Sequence, residues 1–257
     1  ATTWPSMSCM QVKAIKTRKF LPPKDDLFSF LKESFRNIKP KEKSVIIVAS
    51  KIVAISQGRC IKIDAKHKKA ALVKQEADFY IDKNKISGKI SVLTIKDQIL
   101  ISSSGIDESN GNGYYVLWPK NPFTMARKIY AFVKKEYKLK DFGVIISDSH
   151  KVPLREGITG IGLAYTGFYP LRDYRGKQDI FGREIKVSQT NIVDSLATTA
   201  VFQMGEGAEC MPLAIIENVR DLQFTSKDFS KNDLLKTTIS GDRYNFFLNS
   251  NIWKKGR

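Results

Sequence analysis

Histidine and cysteine are both scarce in this 257-residue chain, with two of the first and three of the second. His67 and His150 cannot between them build a multi-histidine metal centre. Cys9, Cys60 and Cys210 are widely spaced and lie in no CxxC or Cys/His array, so neither a zinc site nor a disulfide scaffold is implied. A reducing, cytoplasmic setting fits that usage. No run approaches the roughly 18 apolar residues of a membrane span, and no secretory signal pattern is present. GxGxxG, GxxxxGK[ST] and GxSxG are missing too, so dinucleotide-loop, P-loop and nucleophile-elbow chemistries lack support.

What is there is a globular composition, 42% hydrophobic and 27% charged, at a length that makes one large domain or two small ones. Lys and Arg number 43 against 26 Asp and Glu, a net charge of +17. Such an excess raises nucleic-acid binding, but its distribution argues against it. Residues 10–100 hold 21 basic and 9 acidic side chains, while 145–210 hold 7 and 8. Most of the excess is lysine without interleaved aromatics, the pattern of a solvated surface.

The chain begins Ala-Thr-Thr, and residues 1–9 lack periodicity; an extension is expected there, with the domain starting near Met10. Met10–Thr17 reads as a strand. Asp25 and Asp26 offer caps to a helix using Leu27, Phe28, Leu31 and Phe35. Ser44–Ala49 (SVIIVA) is the short apolar run of a buried strand, and Lys51–Ser56 either continues it or turns helical. Lys68–Asp82 predicts a helix, and Ile90–Ser102 a hairpin around Lys96–Asp97. A helix over Phe123–Tyr137 precedes a strand, Phe142–Ile146, that runs into Ser147-Asp148-Ser149-His150. Ile158–Gly167 is a Gly-punctuated strand, Asp173–Arg183 a polar connection, Thr190–Met204 a helix and Pro212–Ile216 a strand. Elements mix without a regular βαβ rhythm, so the expected class is α+β. The tail, 221–257, is weakly patterned.

Three acidic loops end apolar elements: Asp107 and Asn110 in GIDESNG, Asp148 and Ser149 in IISDS, and Glu206 between Gly205 and Gly207. Hard divalent cations take oxygen ligands of this kind, often one or two carboxylates together with substrate phosphates. Each loop also has a plainer reading, which taken alone is favoured or even. Asp107 with Asn110 makes an Asx turn, Asp148 a strand-end cap, and Gly205-Glu206-Gly207 a helix C-cap with an exposed acid. Gly160-Ile161-Gly162 reads as a close-packed strand, and His150 as a surface histidine in preference to a general base.

Taken in order, GIDESN, IISDS with Arg155-Glu156-Gly157, DYRGKQDIFGRE and MGEG before a Pro-started strand resemble the coenzyme F-420-0:L-glutamate ligases, the γ-glutamyl ligases. Val12–Thr17 and SVIIVASKIVAISQGR are similar to that family's N-terminal segment, so the resemblance runs from about Met10 to Val219. It implies mixed sheets in two intertwined subdomains, one of about 10–84 plus 191–220 and the other of about 85–190, with 221–257 as a tail. It also implies a homodimer with a nucleotide groove near its interface. The implied reaction joins L-glutamate through amide (γ-glutamyl) bonds to a small-molecule carboxylate acceptor by way of an acyl phosphate. GTP is the expected donor, ATP a substitute, Mn2+ or Mg2+ the expected cation and K+ a further one. Neither membrane nor nucleic acid is an expected partner.

By the same resemblance, Asp107, Asp148, Ser149 and Glu206 match metal-binding positions. Asn110, Ser50, Lys51, Gly205, Glu206 and Gly207 match nucleotide contacts, and Thr17–Phe20 occupies the first nucleotide segment with different residues. Asp107, Asp148 and Arg155 form the expected catalytic set, Arg155 as a phosphate or carboxylate clamp. Two departures bear on substrate: Ile55 stands where the family has a lysine, and Ser149-His150-Lys151-Val152 replaces the usual stretch after the second aspartate. A folate-type acceptor is therefore weighed beside an F-420-0-like one. Outside the ligase class, a non-catalytic GTP-binding regulator and a basic nucleic-acid binder are the alternatives.

Overall fold

A strand apolar at four successive positions, Val45–Val48, is stable only when both of its faces are covered. The computed structural model, which describes residues 9–85, 92–230, 233–242 and 251–256, covers both. In chain order β1 (Gln11–Ile15), α1 (Leu27–Ser34), β2 (Val45–Ala49), α2 (Ser50–Ser56) and β3 (Cys60–Lys62) lead into α3 (Lys69–Glu76). There follow β4 (Phe79–Ile81), β5 (Leu93–Lys96), β6 (Ile99–Ser102), β7 (Tyr114–Val116), α4 (Pro122–Tyr137), β8 (Gly143–His150) and β9 (Thr159–Thr166). The rest is β10 (Leu171–Asp173), β11 (Gln189–Asn191), α5 (Ile192–Met204), β12 (Leu213–Glu217) and β13 (Lys254–Lys255).

A five-stranded sheet of order β1-β12-β2-β8-β9 is antiparallel throughout except for the parallel pair β2 and β8. Ile46, Val48, Val144 and Ile146 face one core, built with α1, α2 and α4. Val45, Ile47 and Ile145 face the other, built on α5. β2 therefore reads as an unbroken apolar run because helices lie on both sides of it. The antiparallel sheet β13-β4-β5-β6 and the ribbons β3-β7 and β10-β11 complete the α+β architecture. The five-stranded sheet joins β1, β2 and β12 to β8 and β9. Among the described residues no helix is long and apolar enough to cross a membrane, and all three cysteines are free.

Several expected elements shift. The helix read over Lys68–Asp82 stops at Glu76: Ala77 is extended, and Phe79–Ile81 pairs with Leu93–Ile95 as β4. Phe79, Tyr80 and Ile81 are strand formers, and the ladder outweighs helical continuation. The helix read from Thr190 begins at Ile192, because Gln189–Asn191 pairs with Leu171–Asp173 and Asn191 caps α5 through its side chain. Lys51–Ser56 is helical, as α2. β8 continues to His150, so Asp148 lies inside the strand and is no strand-end cap. The 93–102 hairpin turns through Asp97 and Gln98, both at positive φ.

Gly160 and Gly162 are close-packed strand residues: a Cβ on Gly160 would lie 2.5 Å from the Ala197 carbonyl oxygen, which presses α5 against β9. In the tail, Phe229 is buried against Tyr165 and Tyr169, and Lys254–Lys255 extends the second sheet at β4. Residues 1–8 of the expected extension, 90–91 of the expected hairpin and 243–250 of the tail lie outside the described residues.

Candidate functional site

The topology delivers four separate chain segments to one edge of the large sheet. Because β2 and β8 are parallel, their carboxyl ends lie side by side, with Ala49 opposite Ser147. β12 is antiparallel to β2, so the 205–212 segment that leads into it arrives at the same edge. β1 is antiparallel to β12, so the segment leaving it, Lys16–Phe20, arrives there too; the Thr17 amide donates to the Cys210 carbonyl at 2.9 Å. Carboxyl ends of strands are where open sheets with helical faces place ligands. A cleft of about 630 Å3 occupies this edge, within the size range of small-molecule sites.

Ser50, Lys51, Asp107, Asn110, Asp148, Ser149, Gly205, Glu206 and Gly207 all line it, though they span residues 50 to 207. Asp148 Oδ2 accepts from Ser50 Oγ at 2.9 Å and Oδ1 from the Ser149 amide at 2.8 Å. Burial dominates these bonds and raises the Asp148 pKa to about 6. Asp107 is reached from the loop before β7, which Asp107 anchors by exchanging backbone hydrogen bonds with Val116. Its Oδ1 also accepts from the Ser109 amide at 2.8 Å, the Asx turn read from the sequence. The Lys51 ammonium lies 2.6 Å from Asp107 Oδ2 and donates to the Ser109 carbonyl at 3.0 Å. Burial opposes ionisation of Asp107, but the Lys51 charge and the Lys51 and Ser109 hydrogen bonds outweigh it and hold the carboxyl below its ordinary range.

Glu206 follows Gly205, the positive-φ residue that ends α5, so the plain C-cap reading also holds. Its carboxyl is raised by burial against the opposing Lys51 charge and meets Ser149 Oγ at 3.5 Å. Asn110 Nδ2 donates to the Gly207 carbonyl at 2.8 Å and so ties the Asp107 loop to the glycine segment.

The donors are hard oxygens, the chemistry that magnesium and manganese take. The Lys51 ammonium is a stand-in cation among them, since its charge acts on Asp107, Asp148 and Glu206 alike. Among the described residues, no three His, Cys, Asp or Glu side chains converge into a preformed metal cluster. The Lys51–Asp107 pair is partly exposed, with side chains 28% and 43% accessible. Such a pair is worth at most about 1 kcal/mol, too little to hold Lys51 against a stronger ligand. The donors are of the chemical kind that a divalent cation takes, and Lys51 occupies the place beside Asp107.

One expected residue stays apart. Arg155 sits exposed on the turn after β8, its amide bonded to the Val152 carbonyl, and does not line the cleft. His150 is half-buried and also outside the lining; burial lowers its pKa against the opposing charge of Asp194. Arg18 and Lys19, within the first nucleotide segment of the resemblance, line the cleft too, and the motifs passed over Leu21, Pro22 and Glu209 beside them and gave Ser147 no role. Arg18 is held bidentately by Asp25, at 2.6 and 3.1 Å, and by Glu33 at 3.1 Å. The adjacent prolines 22 and 23 were the available signal of a shaped turn there. Ile55, in place of the family lysine, is buried in the cleft wall.

Comparison with known proteins places the chain among the amide-forming ligases. A family model described as F420-0:Gamma-glutamyl ligase matches residues 15–218, and the chain belongs to that family. The coenzyme F420:L-glutamate ligase of Methanococcus maripaludis strain C7 is 32% identical over 191 residues, 69% of this chain and 77% of that protein. The coenzyme F420:L-glutamate ligase of Methanopyrus kandleri is 25% identical over 228 residues, 82% and 88% of the two chains. The protein of the same name from Methanocaldococcus jannaschii is 41% identical over 130 residues, 50% and 52%.

Proposed function

We propose that this chain joins L-glutamate by an amide bond to the carboxylate of an F420-0-like acceptor, using GTP as phosphoryl donor and Mn2+ or Mg2+ as cation. The observation that carries the reading is that Asp107, Asp148 and Glu206 line one cleft together with Lys51, whose ammonium pairs with Asp107, and it agrees with the names of the relatives. A free carboxylate is a poor acyl donor, so an acceptor oxygen first takes the γ-phosphoryl group, giving an acyl phosphate and GDP. The glutamate nitrogen then attacks the acyl carbon, loses a proton and expels inorganic phosphate.

Ser50, Lys51, Asn110 and Gly205–Gly207 hold the nucleotide in this reading, and Asp107, Asp148, Ser149 and Glu206 hold the cation. A bound divalent cation supplies neutralisation of phosphate charge during transfer. Lys51, freed from Asp107, adds a further positive charge where the phosphoryl group moves. Arg155, aligned with a family arginine but exposed outside the cleft lining, has no role in this reading, and K+ enters with no residue assigned. ATP in place of GTP is an arm of the test. The homodimer would cover apolar side chains that stand in solvent here, Ile180, Phe181 and Phe202 being 92%, 89% and 82% exposed.

Phosphate release, with mass spectrometry of the product, tests the proposal in the presence of GTP, Mn2+, L-glutamate and F420-0. Glutamate-dependent release and a product heavier by one glutamyl residue are expected. Turnover with tetrahydrofolate and none with F420-0 would move the acceptor to the folate class. Release with neither acceptor would overturn the ligase reading.

A further inference from the structure

Ser147 lines the same cleft and holds neither nucleotide nor cation in the proposed reaction. The residue is 1% exposed, and its Oγ is buried without a hydrogen-bond partner. A buried hydroxyl left unpaired destabilises a fold, so its presence needs a reason. Three of the cleft's polar side chains are engaged elsewhere: Ser50 with Asp148, Ser149 with Glu206, Asn110 with Gly207. The register explains why Ser147 is not. Its partners across the sheet are Ala49 on β2 and Gly162 on β9, neither of which carries a polar side chain.

Strand alternation puts Ser147 on the same face of β8 as Ser149, opposite to Asp148. Ser149 reaches Glu206 beyond the end of α5, which identifies this as the α5 face. Val201 and Met204 of α5 line the cleft beside it and offer no side-chain donor. The carboxyl end of α5 points the same way, and a helix carboxyl end carries partial negative charge. Glu206 adds a carboxylate. Beside a carboxylate, a helix carboxyl end and two apolar side chains, the Ser147 hydroxyl faces surroundings that favour a group bearing N–H bonds.

We propose that the Ser147 hydroxyl accepts a hydrogen bond from the amino group of the amino-acid substrate, completing its own bonding and fixing the nitrogen at the floor of the cleft. The proposal rests on the ligase reading and adds to it the seat of the amine. Ser147 is a substrate-binding residue in this account, unpaired only while the amine is absent.

The test compares the full-length wild type with Ser147→Ala and Ser147→Thr. It reads ligand-free Tm, and KM for L-glutamate and for GTP in the presence of F420-0 and Mn2+. Alanine removes an unpaired polar atom, so ligand-free Tm is expected to rise by about 2–4 °C. KM for glutamate is expected to rise roughly tenfold, the loss of one hydrogen bond to a charged group, with KM for GTP unchanged. Threonine, which keeps the hydroxyl, is expected to restore the glutamate KM. Ser147→Cys, of similar shape but a weak acceptor, repeats the comparison if the alanine variant fails to fold. An unchanged glutamate KM overturns the proposal. So does a rise in the GTP KM instead, or a fall in ligand-free Tm. Wild-type protein inactive with glutamate sinks the ligase reading and this proposal together; active wild type with an unaltered Ser147→Ala variant sinks this proposal alone.

Discussion

Asp148→Asn is expected to stabilise the ligand-free protein while abolishing metal-dependent nucleotide binding. The wild-type carboxyl has a pKa raised from 3.8 to about 6, chiefly by burial, against the opposing hydrogen bonds of Ser149 and Ser50. The fold therefore prefers the protonated acid. That preference contributes stability present below about pH 4 and lost as pH rises through about 6. At neutral pH the ionised group costs about 3 kcal/mol, taking 1.36 kcal/mol for each tenfold change in proton affinity. Asparagine is neutral at every pH, keeps an acceptor for the Ser149 amide, and offers an NH2 to a Ser50 hydroxyl turned to accept. For a chain of this size the gain amounts to roughly 6–12 °C in Tm as an upper bound. Differential scanning calorimetry between pH 4 and pH 8 measures it, and titration calorimetry of GTP with Mn2+ measures the lost function. The variant should match wild type at pH 4 and exceed it above pH 6. A variant less stable than wild type at pH 7.5, or one equally stabilised at pH 4, would refute the account of Asp148 as a charge held at the expense of the fold.

Asp107→Asn keeps an acceptor for the Ser109 amide and loses only the partly exposed Lys51 pair, so Tm should move little while Mn2+-dependent GTP binding disappears. Calorimetric affinity equal to wild type would remove Asp107 from the site. Lys51→Ala is expected to weaken GTP binding roughly tenfold, as for one charge-assisted contact; unchanged affinity would make the lysine ordinary surface charge. Gly160→Ala places a Cβ 2.5 Å from the Ala197 carbonyl oxygen and should cost about 1–3 kcal/mol, the usual price of overpacking. A thermal melt that matches wild type would show that α5 yields freely. Phe181→Lys puts charge on the apolar tip between β10 and β11 and is expected to convert a dimer to monomer in sedimentation equilibrium. A mass unaffected by the change would place self-association elsewhere or exclude it.

The fold was most legible where burial writes itself into local pattern. Val45–Val48 and Val144–Ile146 are apolar at every position, and both lie in a sheet covered on two faces. The amphipathic 123–137 segment is α4 almost residue for residue. Legibility failed where two patterns share residues. Ala77 and Tyr80 fall at helical spacing from Leu72 and Val73, but Ala77 is buried between the end of α3 and the C-terminal segment, and Tyr80 belongs to β4. No periodicity within 68–82 distinguishes these, because the deciding partners are Leu93–Ile95 and Lys254–Lys255. The tail failed for the same reason, since Phe229 and Asp233 gain meaning only against Tyr165.

The site was legible as a list of residues but not as a place. Asp107, Asp148 and Glu206 each admit a plain local role, and two of those roles are present: the Asx turn at Asp107 and the C-cap at Gly205. Local geometry and ligand binding do not compete here, because the same turn that satisfies the backbone also presents the carboxylate. What joins the three is the order of strands, above all the parallel pairing of β2 with β8, which sets Ser50 and Asp148 side by side. With that pair antiparallel, the Ser50 and Asp148 ends would lie at opposite edges of the sheet and the motifs would bind nothing in common. The parallel pair is thus the structural condition for the chemistry. Any change that unseats β8 from β2 should remove nucleotide binding before it removes the remaining fold.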